Sequence, residues 1–285
     1  MLSFPLKSLV KPYSFFCVGS LPFAQAERAC EFVLSHESIL PFWPELPKAS
    51  PHQFMLSRSE RASEPGWRGY TKEEASGFFE FVGKMETLPV LKCQLMGPVS
   101  YLKYSSDNVI FSSELFQRAV QIAWRQMHWQ RQQIPMNTCI IFVLDEPVIG
   151  NDAYWHRDEV FEGYSYLYAR ISELNSYIGV HICGKLSEKV FDLPVQLISY
   201  THNDLCETSL QSRLKRFLSD GGIIAPGFVP GVPPEGADME ALVQKGRDEY
   251  ERLKEAFSHY ASQLLFAADC GHFGADEGWL KAIYG

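Results

Sequence analysis

The sequence predicts an α/β fold of the (β/α)8 TIM-barrel type, as a single domain over residues 1–285. Short runs rich in Val, Ile, Leu and Phe alternate with longer segments whose apolar residues recur every three or four positions. Most of the short runs are apolar throughout, which is typical of parallel strands buried on both faces. A chain of 285 residues also suits a barrel of this type, which usually takes ~250 residues.

The predicted elements can be placed along the chain in order. Strands are predicted at residues 14–19, 88–95, 138–144, 177–182, 195–199, 222–226 and 264–268, with an eighth around 52–57. Helices are predicted at residues 23–36, 72–86, 111–132, 158–175, 207–219 and 236–259. Residues 36–71 are predicted to cross one rim of the barrel as a long excursion. No Gly-rich dinucleotide fingerprint follows any strand, which favours a closed barrel over an open doubly wound sheet.

Charge and hydropathy exclude several classes of partner. The net charge of −8 argues against nucleic acid and against an anionic membrane, because both are bound by a surplus of Lys and Arg. No apolar run approaches the ~18 residues of a membrane span, and the first residues lack a signal-peptide pattern. We therefore expect a soluble, cytoplasmic protein. Its seven cysteines are too scattered for a disulfide framework, and Cys17, Cys93 and Cys139 are predicted to be buried packing residues.

Unusual polar residues follow the predicted strands. They are Ser20 after the first strand, Asp145 and Glu146, His181 and Cys183, and Asp269, Cys270 and His272 after the last strand, while Gly97 and Pro98 follow the strand at 88–95. Because the carboxyl ends of barrel strands share one face, we expect these residues to meet in one pocket.

His181 and Cys183 form the strongest candidate metal site. Side chains two positions apart in an extended chain point to the same side, so an imidazole nitrogen and a thiolate can reach one ion. Zinc accepts both ligand types, and Cys270 is the candidate third ligand from a later strand. The alternative interpretation is that His181 and Cys183 are ordinary core residues.

Two other polar groups have two interpretations each, and a third forms a cluster of its own. Asp145 and Glu146 either cap the following helix or hold an ammonium group at the mouth of the barrel, and the sequence does not say which of them faces the pocket. Ser20 is either a helix N-cap or part of a carboxylate-binding turn. His202 begins a further polar cluster with Asp204 and Cys206.

Taken in order, these segments resemble a known family. The motifs are Gly19-Ser20-Leu21-Pro22, Phe42-Trp43-Pro44-Glu45-Leu46-Pro47, Gly97-Pro98-Val99-Ser100, Asp145-Glu146-Pro147, His181-Ile182-Cys183-Gly184, Ala225-Pro226-Gly227 and Asp269-Cys270-Gly271. They resemble the catalytic domain of cobalamin-independent methionine synthase, and still more its short single-barrel relatives. This family lies within the wider superfamily of uroporphyrinogen decarboxylase-like barrels.

The resemblance implies a zinc-dependent methyltransferase whose substrate is a small thiol, homocysteine in the synthases. His181, Cys183 and Cys270 match zinc ligands. Asp145 matches the carboxylate that holds the substrate amino group, and Glu146 is kept beside it as a candidate substrate-binding residue. Ser20 and the backbone at Val18 match the region that receives the substrate carboxylate.

Two departures from the family affect the ligand set and proton transfer. The family supplies a further Glu ligand shortly after the fifth strand, where this chain has His202 and Asp204 instead. Either could substitute, and His202 is also a candidate catalytic residue. The family also carries a His after the strand at residues 222–226, where residues 226–230 contain none.

The methyl donor and the reaction class remain open at this point. The chain has no room for the N-terminal barrel that helps full-length synthases bind folate, so the resemblance favours a methylcorrinoid protein as donor over methyl-folate. A first alternative is a metal-free lyase similar to uroporphyrinogen decarboxylase, with Arg58, Arg61 and Arg68 holding substrate carboxylates. A second is a non-catalytic barrel relative that binds a ligand or a partner.

Overall fold

A curled, all-parallel sheet forms the centre of the protein. The computed structural model describes residues 5–85, 88–105, 111–149, 158–184, 186–202 and 208–285. Seven strands occur in these ranges: β1 Phe15–Phe16, β2 Val90–Met96, β3 Cys139–Asp145, β4 Ser176–Ile182, β5 Leu197–Thr201, β6 Ile223–Val229 and β7 Phe266–Ala268. Their order in the sheet is β1-β7-β6-β5-β4-β3-β2. The first strand therefore lies beside the last, as in a sheet that curls on itself, and the doubly wound alternative is wrong.

Helices connect the strands and cover the outer face of the sheet. They are α1 Ala26–Ser35, α2 Met55–Ser63, α3 Ser76–Lys84, α4 Pro98–Tyr104, α5 Ser113–Gln133, α6 Asp158–Ser172, α7 Thr208–Ser219, α8 Met239–Ala256 and α9 Glu277–Tyr284. Short 3-10 helices lie at Leu6–Ser8, Pro51–Gln53, Glu188–Asp192 and Ser258–Gln263. Every predicted helix is present, while α2, α4 and α9 were not predicted. No helix of the described ranges is long and apolar enough to cross a membrane.

Buried apolar side chains divide into two separate cores. In β3, Ile140, Phe142 and Leu144 pack outward against the helices, whereas Ile141 and Val143 belong to a second cluster. This inner cluster contains residues of all seven strands, and Leu40 also belongs to it. Alternate residues of a strand point to opposite faces, so the inner cluster fills the concave side of the curled sheet.

The predicted eighth strand at residues 52–57 is wrong, because that segment forms a 3-10 helix and the start of α2. Residues 39–45 lie between β1 and β2 instead. They form single parallel bridges, Ile39 with Phe15 and Phe42 with Lys92. Pro41 and Pro44 interrupt this segment, and a residue without an N–H group cannot continue a hydrogen-bond ladder. The prolines therefore also hide the segment from a search for strand patterns.

Candidate metal centre

Three predicted ligands meet at the carboxyl ends of the strands. His181 is the penultimate residue of β4, Cys183 follows that strand, and Cys270 follows β7. The His181 Nε2 atom lies 3.2 Å from the Cys183 sulfur, which lies 3.7 Å from the Cys270 sulfur. All three donor atoms lie within 4.8 Å of one another. Two thiol groups and an imidazole at this spacing form a donor set that zinc accepts.

The hydroxyl group of Ser199 orients the imidazole ring of His181. Ser199 pairs with His181 across β4 and β5, and its Oγ atom lies 3.0 Å from the His181 Nδ1 atom. In the tautomer that carries its proton on Nδ1, the ring donates to Ser199 and directs the Nε2 lone pair towards the two sulfur atoms. Metal-binding histidines are commonly fixed by a second hydrogen bond of this kind.

The two cysteines at the centre differ in their preference for the thiolate form. Its contacts with the Cys183 thiol and with His181 lower the pKa of Cys270, while the contact with Cys270 and burial raise the pKa of Cys183. Cys270 is therefore the cysteine of the pair that gives up its proton more readily. Both side chains are exposed to solvent, whereas His181 is fully buried. A ligand would thus approach this centre from the side of the two sulfur atoms.

Asp145 lies beside the metal ligands, on the neighbouring strand. It pairs with His181 in the register of β3 and β4 and is only 8% exposed. Its Oδ1 atom has no hydrogen-bond partner among the described residues. Burial raises the pKa of Asp145 well above its usual range, opposed by the positive charge of Lys92. An unpartnered carboxylate oxygen next to the donor set can accept hydrogen bonds from a ligand.

The Glu146 side chain binds the backbone of a neighbouring helix. Its Oε1 atom accepts hydrogen bonds from the Val99 amide at 3.0 Å and from the Tyr164 hydroxyl at 2.8 Å, and its Oε2 atom accepts one from the Ser100 amide at 2.7 Å. The side chain is fully buried. Its carboxylate therefore satisfies the free amides at the start of α4, and we assign it a structural role in place of the expected substrate contact.

Ser20 and Val18 border the site on the side of β1. Ser20 is not a helix N-cap, because α1 begins at Ala26. The Ser20 carbonyl accepts a hydrogen bond of 2.9 Å from the His272 amide, and a Cβ atom added to Gly271 would lie 1.9 Å from Ser20 Oγ. The loop that carries Cys270 is therefore packed directly against Ser20. The Val18 carbonyl is already occupied by the ammonium group of Lys92.

His202 lies on the outer side of the sheet, away from the three ligands. Its ring packs on Phe228 with centroids 4.5 Å apart, and its Nε2 atom lies 4.0 Å from Glu249 of α8. Since Ser199 and Thr201 face the same side of β5, the next residue after Thr201 is directed to the opposite side. The expected catalytic or ligating role of His202 therefore finds no geometric support. The other candidates in this cluster, Asp204 and Cys206, lie outside the described residues.

The arginines proposed for a decarboxylase-like site are engaged elsewhere or exposed. Arg58 is fully buried in an ion pair with Glu45, and Arg61 forms ion pairs with Glu64 and Glu74. Arg68 is exposed on the excursion. Two of the three cations are thus already neutralised by partners within the excursion and its neighbours, which weakens the alternative of a site for a polycarboxylated substrate.

The roles of two supporting residues of the site were not predicted from the sequence. Ser199 was treated only as the end of a strand, although its inward position opposite His181 follows from the alternation along β5. His272 is buried, with Nδ1 lying 2.8 Å from the Gly231 carbonyl and Nε2 lying 2.8 Å from the Tyr284 hydroxyl. It anchors the Cys270 loop to α9. No pattern in the sequence links residues 272 and 284.

Fold and site together define an α/β protein of the parallel, barrel-like class with a metal-competent cluster at the carboxyl ends of its strands. No protein-family model and no curated protein matches the chain. A B12-independent methionine synthase from Shewanella sp. W3-18-1, solved with selenomethionine, superposes with a TM-score of 0.63 at 15% identity over 96% of this chain and 95% of that one. A putative vitamin-B12 independent methionine synthase from Listeria monocytogenes gives 0.53 at 16% identity, covering 96% of both chains. At these identities the similarity establishes the fold.

Proposed function

We propose that the protein is a zinc-dependent methyltransferase that moves a methyl group to a small thiol, with homocysteine as the thiol and methionine as the product. The observation that carries this proposal is the cluster of His181, Cys183 and Cys270, whose donor atoms lie within 4.8 Å of one another at the carboxyl ends of the strands. The shared fold with two B12-independent methionine synthases supports it.

The donor set fits zinc in its chemistry as well as in its spacing. His181, Cys183 and Cys270 would hold the ion, leaving the coordination position that a catalytic zinc site keeps open. When bound, zinc supplies the positive charge that makes a coordinated thiol a thiolate nucleophile at neutral pH. With the His181 ring held by Ser199 at Nδ1, its Nε2 atom would face the ion, and the exposure of Cys183 and Cys270 would leave the centre open to the substrate.

The groups around the centre suit an amino-acid thiol. Asp145, whose Oδ1 atom has no hydrogen-bond partner in the described part of the chain, would accept hydrogen bonds from the substrate ammonium group. Ser20, packed against the loop of Cys270, would receive the substrate carboxylate. Two charged groups of the substrate fixed on opposite sides would hold its sulfur in one orientation.

We propose a methylcorrinoid protein as the methyl donor, with methyl-folate as the alternative.

We also propose that residues 39–45 complete a closed (β/α)8 barrel as an irregular eighth strand. The bridges of Ile39 to Phe15 and of Phe42 to Lys92 support this closure, because they occupy the gap between β1 and β2.

Metal analysis of the purified chain tests the proposal. Protein purified without added metal is expected to contain about one zinc per chain, because two cysteines and a histidine form one zinc site. His181→Ala and Cys183→Ser should each lose most of it, and methyl transfer to homocysteine should be lost with the metal.

Cys139→Ala is the matched control, since Cys139 is buried in the inner core and is not part of the donor cluster. It should keep its zinc. Stoichiometric zinc in both ligand variants would rule out the assignment. Zinc binding and homocysteine binding without transfer from either methyl donor would favour the non-catalytic alternative.

A further inference from the structure

A fully buried lysine lies inside the curled sheet. Lys92 is on β2, opposite Ile141 of β3, four residues before the position that pairs with Asp145. Its ammonium group donates hydrogen bonds to the Val18 carbonyl at 2.5 Å and to Gln94 Oε1 at 3.0 Å. It also lies over the rings of Phe16 and Phe42, at 5.2 and 5.5 Å from their centroids. A buried charge is costly unless such contacts compensate it.

The contacts of Lys92 converge on the backbone that leads to Ser20. Val18 directly precedes the Gly19-Ser20 turn, and Gly19 has a φ of 148°, which favours glycine. A Cβ atom at Gly19 would lie 2.6 Å from the side chain of Gln94. The Gln94 amide in turn donates to the Trp43 carbonyl at 2.8 Å. Lys92 and Gln94 therefore tie the end of β1, β2 and residues 39–45 together beneath this turn.

We propose that Lys92 is a positioning residue for the carboxylate subsite of the candidate site. By fixing the Val18 carbonyl, it holds the Gly19-Ser20 turn in the place where the carboxylate of an amino-acid thiol binds. This inference rests on the proposed function, and it adds to it a residue that acts on one part of the substrate only.

The charge of Lys92 is consistent with this role. Burial lowers the pKa of its ammonium group to about 8, while the carboxylates of Asp145 and Glu45 act in the opposite direction. The ammonium form, which can donate to both of its oxygen partners, therefore predominates at neutral pH. An uncharged apolar residue of similar length would fill the space and leave the Val18 carbonyl without its donor.

Two thiols distinguish a positioning role from a general structural one. Homocysteine has both an amino and a carboxylate group, whereas 3-aminopropane-1-thiol lacks the carboxylate. Their affinities for zinc-loaded protein are measured by calorimetry, together with the zinc content. In Lys92→Met we expect the affinity for homocysteine to fall about tenfold, which corresponds to about 1.4 kcal/mol. The affinity for 3-aminopropane-1-thiol and the zinc content should stay within about twofold of the wild type.

Lys84→Met is the matched control, because Lys84 is at the exposed end of α3 and its ion pairs among the described residues are with Glu27, Glu31 and Glu80. It should change neither affinity. If Lys92→Met does not fold, Gln94→Met removes one partner of the ammonium group and the anchor on Trp43. The same selective loss is expected there.

The outcomes separate this inference from the proposed function. A wild-type protein that binds neither thiol would overturn the proposed function and the role of Lys92 with it. If the wild-type protein prefers homocysteine, two results for Lys92→Met would overturn the role of Lys92 alone. The variant could keep that preference, or it could lose affinity for both thiols equally.

Discussion

A single hydroxyl group holds the Nδ1 side of the imidazole ring of the candidate ligand His181. Ser199→Ala removes the partner at 3.0 Å from the His181 Nδ1 atom, so the ring loses the hydrogen bond that holds its orientation. Losing such a partner typically weakens metal affinity about 10- to 100-fold, and we expect a change of that size. Competition with a chromogenic chelator measures it. Ser172→Ala, which removes only a hydrogen bond to the Tyr168 carbonyl in α6, should leave zinc affinity unchanged.

At the same scale, the buried carboxyl group of Glu146 should make stability depend on pH. Burial raises its pKa to about 7 in the folded chain, whereas an unfolded Glu titrates near ~4.3. Between these values the folded state binds the extra proton, so this contribution to stability is present in acid and is lost as the pH rises through 7. From pH 5 to pH 8, the free energy of unfolding of the wild type should fall by about 2 kcal/mol relative to Glu146→Gln.

Urea denaturation of both proteins at the two pH values measures this difference. Glu235→Gln is the control, because Glu235 is exposed and its replacement should leave the pH dependence of stability unchanged. A difference between wild type and Glu146→Gln that is constant from pH 5 to pH 8 would contradict the assignment.

At the scale of elements, α3 packs so closely on residues 39–45 that one of its glycines has no room for a side chain. A Cβ atom at Gly77 would lie 1.9 Å from the Pro44 carbonyl oxygen, a backbone atom that cannot turn aside. Gly77→Ala should therefore destabilise the protein by about 1–3 kcal/mol or more. In the same helix, Gly83 faces open space, and Gly83→Ala should stabilise it by about 0.5–1 kcal/mol. Equal effects of the two changes in thermal or urea unfolding would argue against this packing.

The elements themselves were largely predictable. Strands such as β3 and β4 are unbroken apolar runs, and α5 and α8 keep a helical spacing of apolar residues, so local pattern was sufficient. The segment at residues 39–45 was not predictable in this way. Its two prolines break both the hydrogen-bond ladder and the sequence signal, and its place between β1 and β2 depends on contacts with Phe15 and Lys92.

At the scale of the whole molecule, a buried ion pair joins α2 to the segment at residues 39–45, which lies beside the sheet. Arg58 of α2 pairs with Glu45, which follows the bridge to Lys92 and whose amide donates to the Gly19 carbonyl at 3.0 Å. Arg58→Met leaves the Glu45 carboxyl group buried without its cation, which typically costs about 3–5 kcal/mol. The double variant Glu45→Gln/Arg58→Met removes both charges and should recover more than half of that loss in urea denaturation. A double variant less stable than Arg58→Met would contradict this account.

The sequence by itself determined the alternation of strands and helices, the strand ends that carry polar residues, and the pairing of His181 with Cys183, because these depend on residues near one another in the chain. Only the tertiary structure decided which residues share the site. It brought Cys270 to within 3.7 Å of Cys183 and Ser199 to His181. It also turned Glu146 to the start of α4 and placed His202 against α8. The direction and partners of a side chain at a strand end depend on elements distant in sequence, and a local pattern holds no information about them.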